Sequence, residues 1–177
     1  HLYGNLVARP GLKQHILDQP ESGTLLIRHE TGRPVEIKVV AGTRAGSSLV
    51  ARWSAGCIFD EAPRMVGTDE GVVNLEDCRS AVLGRIIPGA KLMMIGSPWK
   101  QYGPAYSMYK SSFGHPGARG VMVVRARAPD LNPVYWNEER CEELKLADPD
   151  VHATDVDAKF GASESSMFAT ASIDQAF

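Results

Sequence analysis

The spacing of apolar and polar positions along this chain predicts short strands separated by helices. Residues 24–29 and 35–40 are extended runs joined by Glu30, Thr31, Gly32, Arg33 and Pro34. Val35, Ile37 and Val39 alternate with Glu36 and Lys38, the pattern of a strand with one wet face, and the two runs together read as a β-hairpin or meander. Upstream, Leu2, Leu6, Leu12 and Ile16 have loose helical spacing, which Pro10 and Gly11 interrupt. A loop from Gly42 to Ser48 and a weaker extended piece lead to Trp53. The short apolar run Gly56, Cys57, Ile58, Phe59 then ends in two acids, Asp60 and Glu61. Val72, Leu75, Cys78 and Val82 predict a helix stopped by Gly84. Residues 91–95 read as a buried strand that runs into Gly96, Ser97 and Pro98, residues 105–113 as a helix stopped by Gly114, and residues 120–127 as a further strand. Asn132 and Pro133 form a helix start, with Asn as N-cap and Pro in the first turn, for a helix reaching Ala147; Asp148 and Pro149 start another that ends at Phe160 and Gly161. Strands that alternate with helices and end in Gly, Ser and Pro loops predict an α/β fold with much parallel pairing.

Composition narrows this picture. The 177 residues, 44% hydrophobic and 23% charged, suit one ordinary domain that buries a core without metal or disulfide staples. A formal charge of −2 is not the basic footprint of a small DNA-binding module, so nucleic-acid contact would need a local patch. Cys57, Cys78 and Cys141 are odd in number and form no CxxC pair, which argues against a disulfide framework or a zinc knuckle and for a reducing compartment. Apolar runs such as 92–95 and 121–124 fall far short of the ~20 residues of a membrane span, and no signal-peptide pattern appears. The chain opens at His1 without an initiator methionine, inside helix-like spacing, so the expectation is a fragment or a processed piece.

Asp60 and Glu61 carry the sharpest chemistry. Open α/β sheets place ligands at the carboxyl ends of their strands. There, one carboxylate can hold Mg²⁺, a hard cation that prefers oxygen, and a second can orient or deprotonate an attacking water. A strand ending in two merely solvated acids is the plainer reading. The loop Gly96, Ser97, Pro98 after the next strand adds a hydroxyl beside a glycine that permits close backbone approach, although the same residues make ordinary turns.

The run from Ile58 through Phe59, Asp60, Glu61 and Ala62 to Pro63 resembles the ATPase domain of large terminase subunits, the DNA-packaging motors of tailed phages. So do the strand Leu92, Met93, Met94, Ile95 with Gly96, Ser97, Pro98, and the later Tyr102, Gly103, Tyr106 and Tyr109. Thr43, Arg44, Ala45 and Gly46 resemble that family's Arg-Gly loop ahead of Walker B. Asp157, Phe160, Gly161, Met167 and Phe168 resemble the segment closing the ATPase domain before the nuclease domain. The resemblance covers roughly residues 24 to 177. It implies a RecA-like P-loop NTPase core, α/β with a mainly parallel sheet and incomplete at its N-terminal side. Residues 1–131 would form the later part of that core and residues 132–177 a helical closing segment. In this reading Asp60 of the Walker B motif helps hold Mg²⁺, Glu61 activates water for ATP hydrolysis, and Gly96, Ser97 and Pro98 sense the γ-phosphate and couple its loss to motion. The implied partners are double-stranded DNA, the portal and procapsid, the small terminase subunit and further copies of the chain in a ring, with no membrane; the implied setting is the host-cell cytoplasm, transiently at the procapsid. One departure is plain: a P-loop needs G-x-x-x-x-G-K-[ST], and no glycine here precedes a lysine. The loop from Gly42 to Ser48 is one residue short and lacks the lysine. Walker A is therefore expected upstream of His1 and the nuclease carboxylates beyond Phe177, so residues 1–177 alone should be inactive.

Arg44, Lys100, Arg125 and Arg127 are the candidates for DNA or subunit contact, Lys100 within Trp99–Tyr102, and Arg125 and Arg127 alternating on one strand face where a structural role is equally open. The five histidines show no ligand spacing and read mostly as surface residues. Glu138, Glu139, Glu142 and Glu143 read as a solvated helix face, and Trp53, Trp99 and Trp136 as core or contact aromatics. Two rivals remain open from the sequence: a helicase-like ATPase, and a non-catalytic α/β interaction domain.

Overall fold

The computed structural model describes residues 8–17, 23–42, 49, 53–67, 73–117 and 120–162. The chain divides into two compact units, His1–Gly42 and Thr43–Phe177. It is a mixed α/β protein, and the described residues form two small sheets, one antiparallel and one parallel.

In the first unit Pro10 starts a helix, and no single helix runs through it among the described residues. The short helix α1, Pro10–Lys13, has proline in its first turn, where the missing N–H costs nothing. Strands β1, Thr24–Arg28, and β2, Pro34–Lys38, pair as the expected hairpin, with Leu25 opposite Ile37 and Ile27 opposite Val35. The chain before β1 adds a third extended piece: Ile16 bridges Ile27, the Leu17 N–H donates to the Leu26 carbonyl at 3.0 Å, and the Arg28 N–H donates to the His15 carbonyl at 2.6 Å. The alternation in β2 does not bury one face as its pattern suggested. All five of its residues are exposed, and Leu25 is this unit's one buried side chain among the described residues.

In the second unit, β3, Ser54–Phe59, pairs in parallel with β4, Ile86–Met94. The crossover between them holds a 3₁₀ turn, Ala62–Arg64, and helix α2, Leu75–Leu83. Asn74 caps α2, its side-chain oxygen accepting the Glu76 N–H at 2.8 Å, and Glu76 and Asp77 place negative charge in the first turn. Leu75, Cys78 and Val82 lie on one face and pack with Phe59 and Ala62 into the core, against which Cys57, Leu92 and Met94 are also laid. β4 begins earlier than its apolar run suggested, because residues 87–90 bulge: Ser54 pairs with Ile86, yet Gly56 pairs with Lys91. Pro88 has no N–H to donate to a ladder, and Gly89 takes a φ of 82° that turns the chain back into register. The pair is not buried on both sides. Ile58 and Met93, which point away from α2's side of the sheet, are 62% and 52% exposed.

Helix α3, Pro104–Ser112, matches the expected helix to within one residue at each end. Residues 121–127 follow without regular secondary structure and join no ladder among the described residues, so the strand expected over residues 120–127 is not formed. After the short helix α4, Ala128–Leu131, comes α5, Glu138–Ala147, which starts five residues later than expected. Asn137 is its cap, accepting the Arg140 N–H at 2.9 Å, whereas Asn132 accepts the Tyr135 N–H and holds a local turn. Asp148 caps the next element as expected, accepting the Val151 N–H at 3.0 Å; α6, Pro149–Val151, runs directly into one π-helical turn, His152–Val156.

Candidate functional site

Parallel pairing puts the carboxyl ends of β3 and β4 at one edge, and both motifs lie there. The Ile95 N–H donates to the Phe59 carbonyl at 3.0 Å and the Ala62 N–H donates to the Ile95 carbonyl at 3.0 Å, so the backbone ladder continues past both strands and draws residues 60–62 alongside 95–96. Glu61 adopts the left-handed conformation, φ 53° and ψ 32°, uncommon for a residue with a Cβ. Its backbone is pressed against Gly96. A Cβ on Gly96 would stand 3.0 Å from Glu61 Cα and 2.8 Å from Pro63 Cδ, and the Gly96 φ of 145° is itself one that side chains rarely adopt. Only glycine fits there, and its use is to let the two strand ends touch.

Asp60 and Glu61 are both exposed at this edge. The Asp60 Oδ1 accepts the Glu61 N–H at 3.1 Å. Glu61 Oε2 lies 3.5 Å from Arg64 Nε, and Arg64 in turn stacks over Trp99, its guanidinium carbon 4.1 Å from the ring centroid. Ser97 and Pro98 are half-buried beside these residues in sequence. The Trp99 carbonyl accepts the Gly161 N–H at 2.7 Å, and the Gln101 N–H donates back to the Gly161 carbonyl at 3.0 Å. Lys100 is the bridge residue of that contact, with its ammonium 5.5 Å from the Trp99 ring. Phe160 packs edge-on against Tyr106 at 5.0 Å, and Tyr109 lies as close. The stretch around Phe160 and Gly161 thus closes onto the loop that follows β4 and onto α3.

The basic candidates separate. Arg44 lies outside the described residues, as does most of the loop from Gly42 to Ser48. Arg125 donates to the Tyr109 hydroxyl at 3.2 Å and stands over Phe113, while Arg127 pairs with Asp157 at 3.4 Å. Both side chains are held by neighbours in the same unit.

Two features escaped the sequence reading. Arg64 belongs to none of the sequence motifs, though a charge three residues after Glu61 across a proline turn is a legible signal. Asp157 is a charge hub, bonded to the Lys159 ammonium at 2.9 Å and near Arg127 and the buried His152. The Lys159 hydrogen bond, aided by the surrounding positive charges and opposed by partial burial, holds its carboxyl below the usual aspartate range. His152 and Asp157 meet through a π turn, a spacing that helical periodicity does not anticipate. Trp53, at 79% exposure, is not a core residue. The acidic face of α5 is solvated as read, with Glu142 paired to Lys145 at 3.4 Å. Burial pushes the Cys57 and Cys78 thiols up, Cys57 further through Cys78 and Cys78 through Asp77, so both are poor nucleophiles.

A single carboxylate with water and phosphate oxygens is the usual way proteins hold Mg²⁺, and Asp60 fits that in type. Among the described residues no three or more His, Cys, Asp or Glu side chains converge on a metal position, so the remaining ligands would have to come from water and phosphate. For the phosphates themselves these residues offer no fit, since the lysine-bearing glycine loop is not in this sequence. No described helix is long and apolar enough to cross a membrane. No protein-family model, no curated protein and no solved structure matches this chain.

Proposed function

We propose that this chain carries the hydrolytic edge of a RecA-like P-loop ATPase, part of a large terminase motor that packages viral DNA into capsids. The observation that supports it best is the apposition of two strand ends: Asp60 and Glu61 after β3, Gly96, Ser97 and Pro98 after the adjacent parallel β4, with Glu61 backbone against Gly96. In this reading Asp60 is a ligand to the Mg²⁺ that neutralises phosphate charge, and Glu61 takes a proton from the attacking water. Ser97 reports on the γ-phosphate side of the site, and the contact of Trp99 and Gln101 with Gly161 passes the change to the closing segment. The lysine-bearing glycine loop that would grip the phosphates is not in this sequence, and in this reading residues 1–177 by themselves would not hydrolyse ATP. The wider assignment, to double-stranded DNA, the portal and procapsid, the small terminase subunit, a ring of copies and the host-cell cytoplasm, rests on the sequence resemblance.

A second reading has one observation in its favour. Glu61 pairs with Arg64 at the surface, as a solvated acid in a non-catalytic domain would. Titration of ATP into the full-length protein separates the two. Asp60→Asn is expected to weaken ATP binding when Mg²⁺ is present and to leave Mg²⁺-free binding unchanged, because an amide is the poorer ligand for a hard cation. Binding that ignores the substitution in both conditions would favour the non-catalytic domain.

A further inference from the structure

We propose that Arg64 is a positioning residue that links the carboxylate of Glu61 to Trp99, and through Trp99 to the closing segment at Gly161. The proposal rests on the reading of Glu61 as the group that handles water. The geometry has three parts. The Arg64 N–H donates to the Glu61 carbonyl at 2.9 Å, closing the 3₁₀ turn, and three-residue spacing in such a turn brings the two side chains over one another. The guanidinium then has two partners, Glu61 Oε2 at 3.5 Å from Nε and the face of Trp99 at 4.1 Å. A flat, delocalised cation can offer its edge to a carboxylate and its face to an indole at once, which an ammonium cannot. Finally, Trp99 is itself fixed by its backbone, its carbonyl taking the Gly161 N–H at 2.7 Å while the Gln101 N–H returns to Gly161.

Glu61 and Arg64 are both well exposed, so their pairing is weak, and so is an exposed cation–π contact. Weakness is what the proposed role requires. When the Glu61 carboxylate turns to a water molecule it leaves Arg64 at little cost, and Arg64 changes how it lies on Trp99. The two arrangements, Glu61 on Arg64 and Glu61 on water, are the two states through which the site would move residues 159–161.

The chain has three tryptophans, so Trp53→Phe with Trp136→Phe leaves Trp99 as the sole indole reporter. In that background, without nucleotide, Glu61→Gln is expected to shift the Trp99 emission maximum. Arg64→Ala is expected to shift it too and to abolish any further response to Glu61→Gln. Arg64→Lys keeps the charge without the flat face and is also expected to lose the response. An emission maximum that ignores Glu61→Gln while Arg64 is present would overturn the link, as would a full response in Arg64→Lys. In the full-length protein Arg64→Ala is expected to lower kcat for ATP about tenfold with KM within about twofold, the size of effect that coupled neighbours show. An unchanged kcat there would also count against the relay. Failure of the underlying reading looks different: Glu61→Gln would leave ATP turnover intact while Trp99 still answered to Glu61 through Arg64.

Discussion

The hairpin β1–β2 and the parallel pair β3–β4 are both built from short runs of five to nine residues that mix apolar with small or polar side chains. The hairpin closes through a short turn and receives no helix among the described residues, so β2 is wet on both faces. The parallel pair cannot be closed by a turn. Its connection must cross over, and that crossover delivers Leu75, Cys78 and Val82 onto Phe59, Leu92 and Met94. The same connection decides where chemistry can sit. Antiparallel neighbours end at opposite edges, whereas parallel neighbours bring both carboxyl ends to one edge, and here that edge holds Asp60, Glu61 and Gly96 together.

Removing what the crossover delivers should have the largest effect on stability. Leu75 is 0% exposed, and Leu75→Ala is expected to cost about 2–5 kcal/mol in urea denaturation, through lost burial and the cavity left behind. Gly96→Ala comes next. It places a methyl against Pro63 and the Glu61 backbone at a φ that L-residues avoid, and about 1–3 kcal/mol of destabilisation is expected. A loss confined to stability, with the Glu61 to Arg64 contact unchanged in a refined structure, would show that the apposition is not what fixes Glu61.

Asp157 tests the closing segment. Its folded pKa lies below the ordinary 3.8, so its contribution is complete above the unfolded value and is lost as pH falls through the lower, folded one. Asp157→Asn is therefore expected to cost about 1 kcal/mol or less at neutral pH, and nothing once pH is below the folded value. Unfolding free energies of wild type and variant that fail to converge in acid would remove the ion-pair explanation. The smallest effect belongs to the hairpin. Ile37, 44% exposed, should tolerate Ile37→Thr within about 0.5 kcal/mol. A loss as large as that of Leu75→Ala would mean that the two strand pairs do not differ as described.

Local signals carried much of this. The hairpin, α2 with its buried Leu75, Cys78 and Val82, α3 and the two motif-bearing strand ends were legible because periodicity and caps act over a few residues. What was not legible depends on tertiary choices. Residues 121–127 have strand-like alternation, yet Arg125 goes to Tyr109 and Arg127 to Asp157, and side-chain anchoring takes the place of a ladder. Asn132 and Pro133 offer a helix start as good as Asn137 by composition, but Asn132 spends its side chain on the Tyr135 N–H. The Glu61 pairing with Arg64 was within reach of the sequence; the stacking of Arg64 on Trp99, across 35 positions, was not.

The most direct test of the central claim is single-turnover ATP hydrolysis by the full-length protein carrying Glu61→Gln, with ATP binding measured on the same preparation. The substitution keeps size and hydrogen bonding and removes only the proton acceptor. Retained binding is expected, with a hydrolysis rate lower by about 10²–10⁴-fold, the usual contribution of a general base. Hydrolysis at the wild-type rate with ATP bound would contradict that claim.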